Sequence, residues 1–147
     1  MFEGGTRVPF IVRWPAKVKP GVSAALVSQV DFPASFAALT AQKAPASARD
    51  SLNMMPALLG QDAAGRVELV EQGGPLALRQ GSWKFIPASA GPPRSKNTNS
   101  ETGNASGPQL YYLSQDLGEG QNLAKKLPDR AQNMQDALKK ARLGSEN

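Results

Sequence analysis

Neither cysteine nor histidine occurs in the 147 residues. Without cysteine there is no disulfide framework, no zinc–thiolate site and no thiol nucleophile. Without histidine the commonest general base and a common metal ligand are missing. Together the two absences count against a self-contained hydrolase. Aromatic residues make up 6% of the chain and are spread out, which disfavours a stacking platform for single-stranded nucleic acid. No apolar run approaches the ~20 residues of a membrane-spanning helix. Met1 is followed at once by Phe2-Glu3-Gly4-Gly5, so the pattern of a secretory leader is not visible in these residues.

What is present describes a globular chain: 40% apolar and 20% charged residues, within the range that can bury a core. Fourteen glycines and 12 prolines point to many turns and short elements. The net charge of +5 comes from 17 basic and 12 acidic residues. The basic residues are scattered. Their one tight cluster, Lys139, Lys140 and Arg142, falls where a helix should end and complements the helix dipole. Neither a nucleic-acid partner nor a membrane partner is expected.

Val8 to Trp14 (VPFIVRW) is apolar on both faces, the pattern of a strand covered on both sides in an α/β sheet. Ser28 or Asp31 can cap a helix with Pro33 in its first turn, and Phe32, Phe36 and Leu39 form a stripe along it. Residues 41–50 read as a linker, and Met54 to Leu59 as a helical turn closed by Gly60. Strands are expected at Arg66–Val70, Leu76–Arg79, Trp83–Ile86 and Gln109–Leu113, the second and third joined as a hairpin through Gly81-Ser82. Residues 87–108 are nearly all Gly, Pro, Ser, Asn, Thr and charge, and read as a long loop, functional or flexible. Pro128-Asp129 opens a final helix lined by Met134, Leu138 and Ala141, with Gly144 as its stop.

Glu3-Gly4-Gly5-Thr6-Arg7 is the densest polar signal. Adjacent glycines can adopt positive φ or let a ligand approach, so an anion-binding turn with Arg7 is one reading. A tight turn with Glu3 and Arg7 paired is the stronger one. Asp116 and Glu119 could suggest a calcium loop but lack its ligand count, and a solvated turn is expected. Asn104-Ala105-Ser106 matches the glycosylation acceptor pattern only weakly.

These pieces stand in a familiar order. Phe2 to Ile11 with Trp14-Pro15 and Pro20-Gly21, then Ser28 to Pro33, then Asp50-Ser51-Leu52 with Leu58-Leu59-Gly60, then Leu78-Arg79 to Ile86, then Leu110 to Leu113 with Asp116, Glu119 and Asn122-Leu123, resemble the C-terminal signatures of the arylsulfatase-type sulfatase family. The sequence departs from the usual pattern at Ala34-Ser35, Ser51 and Tyr112, where the family commonly has Thr, Gly and Asp. The resemblance implies an alkaline-phosphatase-like α/β fold ending in a small antiparallel sheet with a packed helix. It also implies sulfate-ester hydrolysis with a formylglycine nucleophile and a calcium ion in the complete enzyme. Its substrate would be a sulfated small molecule or polysaccharide, and its compartment periplasmic or extracellular.

None of the family's catalytic positions can be carried over. The formylglycine motif needs Cys or Ser four residues before an arginine and two before Pro or Ala. Ala90 and Lys126 occupy that position ahead of Arg94 and Arg130. The resemblance therefore implies no catalytic residue and no metal ligand here, and an inactive chain, the C-terminal part of a longer enzyme whose coding sequence would extend upstream of Met1. Glu3, Gly4, Gly5 and Arg7 inherit only the support of a turn next to the family's sulfate-binding lysine. Arg94 and Lys96 in the long loop are candidates for substrate contact. The expected division is a βα piece at 1–45, a linker with a short helix at 46–65 and an antiparallel subdomain at 66–147. The strand at 8–14 would self-associate or dock. A non-catalytic module that docks on a separate catalytic chain or on an anionic polymer is the alternative.

Overall fold

A computed structural model describes residues 1–144. The chain divides into two compact units. One comprises Met1–Pro9 with the chain from Glu68 onward, and the other is Phe10–Val67.

The first unit is built on a four-stranded antiparallel meander, β1 (Glu68–Gln72), β2 (Leu76–Gln80), β3 (Trp83–Ile86) and β4 (Gln109–Tyr112), in sequential order. Gly81, at φ +53, makes the tight β2–β3 turn, a conformation that suits glycine. Side chains alternate across the sheet. Leu78, Phe85 and Leu110 face one way and form a core with Ala124, Ala131, Met134 and Leu138. Most of the covering residues lie on the 17-residue helix α4 (Pro128–Gly144). Trp83 packs at the margin of this core, 4.6 Å from the Tyr112 ring and under the Arg130 guanidinium. Ala77, Ile86 and Tyr111 face the other way and are covered by Met1 and Phe2. The four-residue turn α1 (Glu3–Thr6) therefore lies on the face opposite α4.

Beyond β4, the Asn122 carboxamide oxygen accepts the amides of Leu110 and Ala124. Leu123 N–H donates to the Leu110 carbonyl at 2.8 Å. These bonds satisfy part of the outer edge of β4, which would otherwise be open to pairing. Residues 87–108 fold back on themselves rather than trailing as an open loop. Arg94 and Glu101 form an isolated antiparallel bridge, Ser89 N–H donates to Ala105 O, and Thr102 N–H donates to Pro93 O. Composition concealed this, because the ordering rests on turns and side-chain–backbone bonds rather than on apolar periodicity.

The second unit holds α2 (Phe32–Leu39), preceded by a 3₁₀ turn at Gln29–Asp31, and α3 (Met55–Leu58). Ser28 and Asp31 form a reciprocal capping box and Pro33 occupies the first helical turn, as the capping pattern predicts. The expected buried stripe differs: Phe36 and Leu39 are exposed, and Ala34 and Ser35 are the buried positions. Small residues let the Leu52–Met54 backbone approach, and Ser35 Oγ accepts the Met54 amide at 2.9 Å.

The largest departure is at Val8–Trp14. No strand forms there. The segment is non-helical and unpaired, and Val8, Phe10 and Ile11 are 62%, 51% and 87% exposed. A strand with two apolar faces requires neighbouring strands and cover on both sides, and the described residues supply neither.

Candidate functional site

The first structural locus of interest is a buried ionic cluster assembled from distant stretches of sequence. Period-two alternation and register place Glu71, Arg79 and Lys84 on the sheet face opposite α4. Arg79 and Lys84 stand directly across the β2–β3 pair, where like charges repel unless an anion lies between them. Glu3 is that anion. Its carboxylate lies 3.1 Å from Arg79 Nη1 and 3.0 Å from Lys84 Nζ. Lys84 Nζ also lies 3.0 Å from Glu71 and 3.5 Å from Glu119, and Lys84 has no exposed surface. Glu119, in the loop after β4, additionally accepts the Glu3 backbone amide.

Burial raises the Glu119 carboxyl above its ordinary value of 4.5. The Glu3 amide and Lys84 pull it down, and the Glu3 charge pushes it up further. The sequence reading placed Glu119 in a solvated turn, but it is buried. Its backbone adopts φ +54, a left-handed conformation unusual for glutamate, and Asp116 closes that turn by accepting the amides of Gly120 and Gln121.

Among the residues singled out from sequence, Glu3 enters this cluster, and Arg7 is its more distant partner at 3.8 Å and half exposed. Gly4 and Gly5 are exposed, neither has positive φ, and a Cβ at either would meet open space. No close approach requires glycine there. Arg94 and Lys96 are exposed, and neither takes part in the ion pairs of Glu3. Arg94 bonds Asn99 O at 2.9 Å and pairs with Glu101 at 3.3 Å. Asn104, in the acceptor-like triplet, donates from Nδ2 to Pro92 O and accepts Ser89 Oγ. Lys84, Arg79 and Glu71 were missed as site residues. The available signal was charge at inward strand positions, which only a definite register would have shown.

In the second unit Asp31 is the counterpart. It is buried and accepts Arg66 Nε at 2.8 Å and Nη2 at 2.6 Å, together with the amides of Ser28 and Leu52. Burial alone would raise its carboxyl, but the bonds from Arg66, Leu52 and Ser28 outweigh it and hold the group below the ordinary value.

The chemistry open to these groups is limited. The carboxylates of Glu3, Glu71 and Glu119 already surround an ammonium. Among the described residues no group of three or more His, Cys, Asp or Glu side chains could hold a metal ion. The described residues therefore offer no donor set for the calcium that the family resemblance implies for the complete enzyme. No helix among the described residues is long and apolar enough to cross a membrane.

No protein-family model matches the chain. An N-acetylgalactosamine-6-O-sulfatase of Bacteroides thetaiotaomicron is 45% identical over 140 residues, covering 93% of this chain and 27% of the relative. The arylsulfatases A of Bos taurus and Homo sapiens are each 31% identical, covering 97% of the chain and 31% of their own length. The chain belongs to the sulfatase family. It matches the C-terminal part of these sulfatases and spans about a third of their length or less. A solved structure from glycosaminoglycan metabolism by the same Bacteroides species superposes with a TM-score of 0.90 at 44% identity, over 96% of this chain and 30% of that one. Ps i-CgsB, solved with k-i-k-neocarrahexaose, superposes with a TM-score of 0.55 at 21% identity, over 79% and 24% of the two chains. That is a likeness of fold. Within the α/β, alkaline-phosphatase-like class of the sulfatases, the described residues supply a small antiparallel sheet with its packed helix.

Proposed function

We propose that this chain is the C-terminal part of a sulfate-ester hydrolase acting on sulfated glycans, and that alone it does not turn over substrate. The observation that carries the reading is the 45% identity to the Bacteroides N-acetylgalactosamine-6-O-sulfatase across 93% of the chain, in a sequence without cysteine or histidine. A covalent mechanism needs an activated nucleophile, and no Cys or Ser stands in the formylglycine position ahead of an arginine. Formylglycine and calcium would belong to the catalytic region, and a 6-sulfated amino sugar is the substrate class favoured by that relative. The exposed apolar segment Val8–Trp14 supports docking on a sheet edge of that region, where its faces and backbone groups would be covered.

The test has two parts. The purified chain with an aryl sulfate and added calcium should give no turnover above buffer. A chimera carrying this chain in place of the matching C-terminal part of the Bacteroides relative should fold and hydrolyse 6-sulfated N-acetylgalactosamine. Turnover by the chain alone that survives repurification, or a folded but inactive chimera, would overturn the reading.

A further inference from the structure

We infer that Lys84 is the positioning residue of the Glu3–Thr6 turn, holding it on the sheet and so setting where the chain leaves toward Val8–Trp14. The turn cannot hold its own shape. It is four residues long with no side-chain cap, far below the length at which a helix persists unaided, and its two central residues are glycines, which weaken helix further. What holds it comes from elsewhere. The Glu3 carboxylate is gripped by Lys84 of β3 at 3.0 Å and Arg79 of β2 at 3.1 Å, and the Glu3 amide is gripped by Glu119 beyond β4.

Lys84 is the centre of this arrangement because it alone bridges all three carboxylates: Glu3 from the turn, Glu71 from β1 and Glu119. The cluster is wholly buried at its middle, so the pairing is little screened by salt, and its geometry is over-determined by three strands. Arg7, the last charged group before the exposed segment, sees Glu3 at 3.8 Å and is half in solvent. The importance of this placement for catalysis rests on the sulfatase reading, while the clamp itself does not.

Residue-resolved amide exchange on this chain separates the two. The Gly5, Thr6 and Arg7 amides bond to Phe2 O and Glu3 O and report on the turn, and the β3–β4 ladder reports on the sheet. Lys84→Met should speed exchange of the turn amides by about tenfold or more relative to the ladder amides. Glu71→Gln, which alters the cluster without touching the turn, should leave the turn amides protected. If Lys84→Met fails to fold, Glu3→Gln replaces it, since it removes the two ion pairs that tie the turn to the sheet, along with the longer one to Arg7, while keeping the side chain's shape and the amide bond to Glu119. Turn amides that keep pace with the ladder in the variant used, or that are freed as much by Glu71→Gln, would overturn the inference. Either result leaves the family reading standing, and an inactive chimera would leave the clamp standing.

Discussion

A buried ammonium surrounded by carboxylates is costly to break from one side. Lys84→Met leaves three buried acids without their shared cation, and we expect a loss of about 3–5 kcal/mol, read as a lower midpoint in urea. Removing the anions along with the cation should recover most of that loss, because a neutral buried set is close to isoenergetic with a well-paired one. Glu119 gives the cluster a pH dependence of definite sign. Its folded carboxyl is raised above 4.5, chiefly by burial, so the native state binds the proton more tightly than the unfolded state. Its contribution is full below the ordinary carboxylate value and is lost as pH rises through the folded value. Glu119→Gln should therefore flatten the stability profile over the range just above 4.5. Asp31 has the opposite sign. Its carboxyl is depressed by Arg66 and two backbone amides against the effect of burial, so its contribution is present at neutral pH and lost as acid passes the folded value. Thermal melts of Asp31→Asn should show a shallower acid limb and a lower midpoint at neutral pH.

At the scale of elements, most of the small sheet and its helix followed from local pattern. The hairpin turn residues, the alternation in Leu76–Ile86 and the apolar stripe of α4 each specify their element without help. Met134 is the centre of that stripe and almost fully buried, and Met134→Ala should cost about 2–5 kcal/mol through lost burial and the cavity left behind, measured by equilibrium unfolding. Gly65 marks a constraint of another kind. It lies at φ +70, and a Cβ there would strike the Leu26 carbonyl oxygen, with which it forms a parallel bridge. Gly65→Ala should destabilise the 10–67 unit by more than about 1 kcal/mol, seen as faster exchange at the Leu26 and Arg66 amides. Val8–Trp14 shows the limit of pattern. Its apolar residues state a need for cover on two faces, but whether a strand forms depends on partners that pattern cannot supply.

At the scale of the whole molecule, protection should change sharply along the first fifteen residues. The turn at 3–6 is tied to the sheet, whereas the Val8–Trp14 segment is exposed and forms no ladder. Amides there should exchange near the unprotected rate in the monomer, and docking on a sulfatase sheet edge should slow them. Sequence by itself determined the family, the strands of the small sheet and α4, the caps and turns and the absence of the formylglycine motif from these residues, because each depends on residue type at short spacing. It also suggested pairing Glu3 with Arg7, the nearest cation along the chain. Only the tertiary structure decided that Glu3 belongs to Lys84, 81 residues away, that Glu119 turns inward, and that Met1–Pro9 groups with the distant sheet rather than with the residues that follow it. The reason is physical. Buried charges must find counter-charges wherever strand register brings them, and register is a property of paired strands rather than of any one of them.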